Sequence, residues 1–169
     1  KSAENNITDG KYNLGTMYYK GLWVEKDYSQ AYHWLKKASD LGNDSAQNLL
    51  ATLYLSGLGV EKNVAQALHW LKKAAEQENA EAQNNLGALY TNGQVVAQDY
   101  SRALYWYYKS VKQNLPLAQY NLAKMFHFGK GVEKDYFQAF YWYKKSAEQG
   151  NFRAQNDLGF FYESGLGVT

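Results

Sequence analysis

Apolar residues return along the chain at spacings of three and four, the pattern of helices that each bury one face. Ala46, Leu50, Leu53 and Tyr54 share one side of a first helix, and Ala67, Trp70, Leu71 and Ala74 share one side of a second. Signals for helix ends bracket both. Asn43 or Asp44 is placed to cap the first helix, and Gly57 to end it in a left-handed turn. After a loop from Leu58 to Lys62, Asn63 caps the second helix, with Gln66 at capping-box spacing; Asp27 with Gln30 and Asp135 with Gln138 repeat the pair. Lys72 and Lys73 fall in the last turns, where cations suit the helix dipole. The predicted unit is helix, turn, helix, and the predicted class is all-α.

This unit is written every 36 residues and its phase never slips. Tryptophan stands at Trp34, Trp70, Trp106 and Trp142; leucine at Leu14, Leu50, Leu86, Leu122 and Leu158; glycine at Gly21, Gly57, Gly93, Gly129 and Gly165; valine at Val24, Val60, Val96, Val132 and Val168. A fixed period of this length marks a stacked array, because one such unit cannot bury its apolar face alone. Residues 1–169 therefore read as a single array, with full repeats at 14–49, 50–85, 86–121 and 122–157 and partial ones at 1–13 and 158–169. Lys1, Ser2, Ala3 and Glu4 match Lys145, Ser146, Ala147 and Glu148, so the chain is expected to open in the tail of a second helix, as a piece of a longer array.

Two columns bear on packing. Gly15, Ala51, Gly87, Ala123 and Gly159 follow the ladder leucines, and a slot that takes only Gly or Ala predicts a close approach by a partner backbone. The turn after the second helix has Gly42 and Gly150 but Glu78 and Asn114 in the same place, where Glu is poorly suited to a positive φ. Pro116 falls in a first turn, where its missing N–H does no harm.

Composition narrows the function more than it defines it. A formal charge of +2 from 18 basic and 16 acidic residues, with Arg102 and Arg153 the sole arginines, gives no general reason to expect nucleic acid. The absence of cysteine removes disulfides, thiolate nucleophiles and cysteine metal sites without fixing a compartment. No apolar run is long enough for direct membrane insertion. No serine-centred elbow, phosphate-cradling loop or zinc spacing is present, and His33 and His69, on successive second helices about 10 Å apart, are poorly placed to share a metal. The chain reads as neither an enzyme nor the holder of a cofactor.

The motif L-G-x-x-Y-x-x-G-x-G-V followed by A-x-x-W-x-x-K-A-A and G-x-x-x-A is nearly literal in Leu158, Gly159, Tyr162, Gly165, Gly167 and Val168, and in Ala139, Trp142, Lys145, Ala147, Gly150 and Ala154. It resembles the Sel-one-like repeat family, relatives of the tetratricopeptide repeat, over the whole chain. Trp23 and Val95 depart from it at the loop glycine and Phe126 at the ladder tyrosine. The resemblance implies a right-handed α-solenoid acting as a non-catalytic scaffold for a protein or extended peptide, in bacteria commonly exported, periplasmic or envelope-linked and found in host interaction among other settings. It points to a bacterial exported or periplasmic protein over a cytoplasmic one. The cysteine-paired branch of the family is excluded by composition.

Positions that vary from repeat to repeat are free of duty to the fold. On the first helices they form one stripe, spaced three or four apart: Tyr12, Asn48, Asn84, Tyr120 and Asn156; Thr16, Thr52, Ala88, Lys124 and Phe160; Tyr19, Leu55, Thr91, His127 and Glu163. By resemblance to tetratricopeptide arrays, this stripe lines a concave groove, and the column Asn13, Asn85 and Asn121, interrupted by Leu49 and Asp157, holds a ligand's backbone amide. The richest cluster is Tyr120, Asn121, Lys124 and His127 with Phe160 and Glu163, which suits a protein hot spot, Lys124 meeting a carboxylate and Tyr120 and Phe160 supplying apolar contact. On the second helices Tyr107 and Tyr143 replace Leu35 and Leu71 and are expected in the core, while Tyr105, Tyr108 and Tyr141 are read as packed along the convex face with their hydroxyls in water, the alternative being a second, exposed aromatic surface. The expected function is protein binding in the first-helix groove; the alternative is a structural spacer or self-associating element of an envelope assembly, with oligomeric state left open.

Overall fold

The computed structural model describes residues 2–167. Lys1, the last ladder valine Val168, and Thr169 lie outside the described residues. Among the described residues are nine α-helices and no strand: α1 (Ser2–Lys20), α2 (Tyr28–Asp40), α3 (Asp44–Ser56), α4 (Val64–Glu76), α5 (Ala80–Asn92), α6 (Tyr100–Val111), α7 (Pro116–Phe128), α8 (Tyr136–Glu148) and α9 (Phe152–Ser164). First helices alternate with second helices as the sequence predicts. No described helix is long and apolar enough to cross a membrane.

The helices form two compact bodies, residues 1–82 and 83–169. In the first, α1 packs on α2, α2 on α3 and α3 on α4. Its interior is Ala31, Leu35, Leu50, Ala51, Leu53, Ala67 and Leu71, each at most 2% exposed. In the second, α6 packs on α7, α7 on α8 and α8 on α9. There Ala103, Tyr107, Leu122, Ala123, Met125, Tyr143 and Phe161 are buried to the same degree. Each helix buries its apolar stripe and leaves the opposite side outward, so consecutive helices complete one another.

Helix starts follow the capping pattern in half. Asn63 Oδ1 accepts from the Gln66 N–H at 3.0 Å, and Asp135 Oδ1 from the Gln138 N–H at 2.9 Å. The reciprocal half of a capping box is replaced by a backbone bond. The Asn63 N–H donates to the Tyr54 carbonyl at 2.9 Å, and Asp27, Asp99 and Asp135 donate likewise to Tyr18, Tyr90 and Phe126. Each loop is thereby pinned to the end of the preceding helix. Gly59, at φ 69°, lies so close to α2 that a Cβ would collide with the Tyr28 carbonyl, which is why that loop position is glycine.

At the chain's start the expected turn is absent. α1 runs unbroken from Ser2 to Lys20, and Asn6, in the slot of Gly42 and Gly150, continues the helix. Intrahelical bonds satisfy the backbone there as well as a turn would. The other turns keep their geometry whatever residue fills them: φ is 96° at Gly42, 86° at Gly150, 66° at Glu78 and 62° at Asn114.

The small-residue column admits a side chain first and a backbone second. A Cβ on Gly15 would lie 2.7 Å from Leu35 Cγ and 3.1 Å from Leu35 N, and one on Gly87 would lie 2.6 Å from the Tyr107 ring. The second-helix ladder residue enters above this slot. Gly159 has nothing within 4 Å.

A polar pairing also repeats within each body. Gln47, Gln83 and Gln119 are at most 1% exposed. Their amide oxygens accept from Gln77 at 2.7 Å, Gln113 at 3.0 Å and Gln149 at 2.7 Å, so each first helix is tied to the end of its second. The Gln47 amide is completed by the Ser39 carbonyl at 3.1 Å and that of Gln119 by Asn114 at 2.8 Å. A buried amide that keeps both partners avoids the desolvation cost of an unmade bond.

Two stability changes follow. Glu78→Gly removes a side chain from a left-handed turn and is expected to raise unfolding free energy by about 0.5–1 kcal/mol in urea titration, most of the αL penalty being relieved. Ala51→Leu fills a slot built for a methyl group and is expected to lower it by about 1–3 kcal/mol, with a matching drop in melting temperature.

Candidate partner-binding surface

In the second body the variable positions of the first helices come together on α7 and α9. Buried Ala118, Gln119, Leu122, Ala123 and Met125 hold α7 to its neighbours, which leaves Tyr120, Asn121, Lys124 and His127 half-buried on its other side. The Lys124 ammonium lies over the Tyr120 ring, 5.5 Å from its centroid. No carboxylate among the described residues pairs with Lys124. Phe160 and Glu163 on α9 are exposed, Phe160 by 52%. Asn121 Nδ2 donates to Asn84 Oδ1 at 2.8 Å, and Asn84, 3% exposed, serves the surface by orienting Asn121. Asn85 is half-buried one position on. In the first body Tyr12 and Asn48 are half-buried and Asn13 is exposed.

His127 has partners that its own sequence surroundings do not reveal. Its ring stacks on Phe128 at 4.2 Å and meets the edges of Phe161 at 5.0 Å, Tyr136 at 5.9 Å and Tyr143 at 6.0 Å. Its Nδ1 lies 3.2 Å from the Tyr143 hydroxyl. Burial pushes the His127 imidazole below its ordinary value of 6.5, the carboxylate of Asp157 opposing that shift and Lys134 adding to it. Tyr143 is wholly buried, and burial followed by the Asp157 charge raises its phenol strongly. The same two causes raise Tyr120. Asp157 on α9 thus lies near enough to Tyr120, His127 and Tyr143 for its charge to act on all three.

Asp157, Tyr143, Phe161 and Tyr136 were not legible as parts of this cluster, yet one signal was available. Where the second-helix ladder residue is leucine, at Leu35 and Leu71, the position 16 residues earlier is Tyr19 or Leu55; where it is tyrosine, the earlier residue can receive the hydroxyl. Thr91 Oγ1 lies 3.3 Å from the Tyr107 hydroxyl as His127 Nδ1 does from that of Tyr143. The pairing is visible as covariation between repeats.

Tyr105, Tyr108 and Tyr141 are 53%, 41% and 47% exposed, while Tyr107 and Tyr143 are buried as expected. Lys109 and Lys145 lie over the Tyr105 and Tyr141 rings at 5.3 and 5.6 Å. His33 and His69 sit edge-on to Trp34 and Trp70, and no group of three or more potential metal ligands occurs among the described residues.

His127 sets a testable pH dependence. Its folded pKa lies below the unfolded one, so the folded state binds fewer protons between the two, and stability is complete above about pH 6.5 and lost as pH falls towards the folded value. Urea unfolding between about pH 8 and pH 5 should show this loss, and the His127→Leu variant, which has the residue of the Leu55 slot, should show less of it.

Five segments, residues 8–43, 44–79, 80–115, 116–151 and 152–169, match the Sel1 repeat. No protein among those of curated function matches the chain. Among solved structures, a protective antigen of uropathogenic Escherichia coli strains displaying an SLR fold is similar at 37% identity and TM-score 0.87, over 99% of this chain and 36% of its own. A Sel1 repeat protein from Oxalobacter formigenes is similar at 34% identity and TM-score 0.90, over 95% of this chain and 66% of its own. The cysteine-rich protein B of Helicobacter pylori is similar at 27% identity and TM-score 0.61, over 79% of this chain and 96% of its own. The chain thus spans about a third of the first of these proteins and just under two thirds of the second. Sel1 repeats commonly mediate protein–protein interaction, and their proteins are generally non-catalytic scaffolds. With nine helices in the predicted order and the repeat matched from residue 8 to residue 169, the chain belongs to the Sel1 repeat family, an α-solenoid class.

Proposed function

We propose that the chain is a non-catalytic adaptor that binds a protein or extended peptide along the first-helix stripe, with the α7–α9 surface as its strongest point. The observation that carries this reading is the unpaired Lys124 ammonium over the Tyr120 ring on α7, with Phe160 and Glu163 exposed on α9. A cation already placed on an aromatic face, with apolar area beside it, offers a partner carboxylate a defined seat and a segment of apolar side chains a dry neighbour. Asn121 adds an amide whose donor side is fixed by Asn84, which turns its carbonyl to a backbone N–H of the partner. His127 supports this face from within the aromatic cluster. In the first body Tyr12, Asn13 and Asn48 supply the corresponding stripe.

The partner's class follows from these groups. An extended segment with a carboxylate near an apolar residue uses the stripe; nucleic acid does not, since the chain's basic excess is small and its arginines few. The Escherichia coli relative is a protective antigen present in uropathogenic strains, and an exported adaptor is the reading that fits it.

The test replaces exposed groups. A Lys124→Glu, Phe160→Ser variant is expected to keep the parent's melting temperature and helix signal while weakening binding of a captured protein partner by about tenfold or more, because charge reversal repels the carboxylate that the parent attracts. A partner bound equally by parent and variant would remove the stripe from the function.

A further inference from the structure

One edge of the second body departs from the repeat in a consistent direction. Asparagine caps the first helices elsewhere: Asn43 Oδ1 accepts from the Ala46 N–H at 2.7 Å, Asn79 from Ala82 at 2.8 Å and Asn151 from Ala154 at 3.2 Å. α7 begins instead at Leu115, with no side-chain cap. Giving up such a cap costs about 1 kcal/mol. The neighbours change in the same sense. Pro116 stands where Asp44 and Ala80 stand in other repeats, Leu117 where Ser45 and Glu81 stand, and Phe152 opens the next first helix. Leu117 is 40% exposed and Phe152 65%.

With Gln149 and Arg153 these residues line an open cleft of about 440 Å³, within the range of small-ligand sites. The Arg153 guanidinium lies 5.6 Å from the centroid of the Phe152 ring. No carboxylate among the described residues pairs with it. Asp157, one turn on, is turned to the hydroxyls of Tyr120 and Tyr143. A guanidinium over an aromatic ring still has N–H donors for an acceptor, and a carboxylate is the acceptor that matches two parallel donors. The edge has exchanged a stabilising polar cap for apolar surface beside one unpaired cation.

We propose that this cleft binds the C-terminal residue of a partner polypeptide. Its apolar side chain lies against Leu115, Pro116, Leu117 and Phe152, and its α-carboxylate pairs with Arg153. A chain's last residue carries an apolar side chain and a carboxylate on one Cα, the combination that a single cation beside a single short apolar cleft selects. In an extended chain, an internal acidic residue and its adjacent apolar residue point to opposite sides and cannot enter the cleft together. None of the lining residues belongs to the first-helix stripe, so the site stands independently of it.

Titration of the isotopically labelled full chain by NMR tests the assignment with three probes: an acetylated pentapeptide ending in valine and leucine with a free carboxylate, its C-terminal amide, and an amidated analogue with glutamate before the leucine. The free acid is expected to shift the backbone amides of residues 115, 117 and 149–153 saturably at millimolar concentration, and both amidated peptides to bind about tenfold more weakly or worse. Arg153→Gln should lose the same factor at unchanged melting temperature, and Leu115→Asn, which restores the cap, should raise the melting temperature while weakening the peptide. Equal binding of the amide or of the internal glutamate peptide would overturn the proposal, as would saturable shifts confined to other residues or none from the free acid.

Discussion

The close seat of each second helix on its first is the constraint from which most of this structure follows. The ladder residue of the second helix lies over a position that has no more than a methyl group, and at Gly15 and Gly87 even that methyl would be too much. Once the helices approach this closely, the size and polarity of the ladder residue propagate outward. Leucine at Leu35 and Leu71 asks nothing further of its surroundings. Tyrosine at Tyr107 and Tyr143 brings a hydroxyl into a buried place, and a polar group on the first helix must receive it, Thr91 in one case and His127 in the other. The Tyr143 hydroxyl in turn faces Asp157, so one change of ladder residue reaches from the core to the surface of α9.

Polar groups inside the array are held to the same periodic order as the apolar ones. The buried glutamines tie the two helices of a repeat together, and the loops are pinned by a backbone bond from each second-helix cap to the aromatic position before it. These bonds add modest net stability individually. Their larger effect is on register: a second helix shifted by one residue would leave a buried amide unmade, which costs more than the bond contributes when formed. The positive-φ turn persists at Glu78 and Asn114 for the same reason, since the geometry around it is set by neighbours.

Against this regular frame the second body has two irregular surfaces. On α7 and α9 a lysine over a tyrosine, with a phenylalanine in solvent, occupies positions that the fold leaves free. At the helix starts the irregularity falls on a position that the fold does use, the asparagine cap. A departure at a free position costs nothing; a departure that surrenders a cap has a stability cost that some other gain must offset.

The sequence by itself determined the helices, their ends and their phase, because those depend on local periodicity and on capping and turn residues that repeat every 36 positions. It also determined which tyrosines are buried, since Tyr107 and Tyr143 stand in a leucine column. It exposed the candidate stripe as a set of variable positions but not how those side chains are engaged: Asn84 is buried under Asn121, and His127 is enclosed by rings from α7, α8 and α9. The replacement of the capping box by a bond to the previous helix likewise rests on a partner outside the helix that it caps. Hydrogen bonds and ring contacts between helices some 16 to 37 residues apart are decided by packing, for which a single sequence shows only faint covariation between repeats. Tertiary structure alone decided which free positions became a surface, because exposure is a property of how neighbouring helices stack.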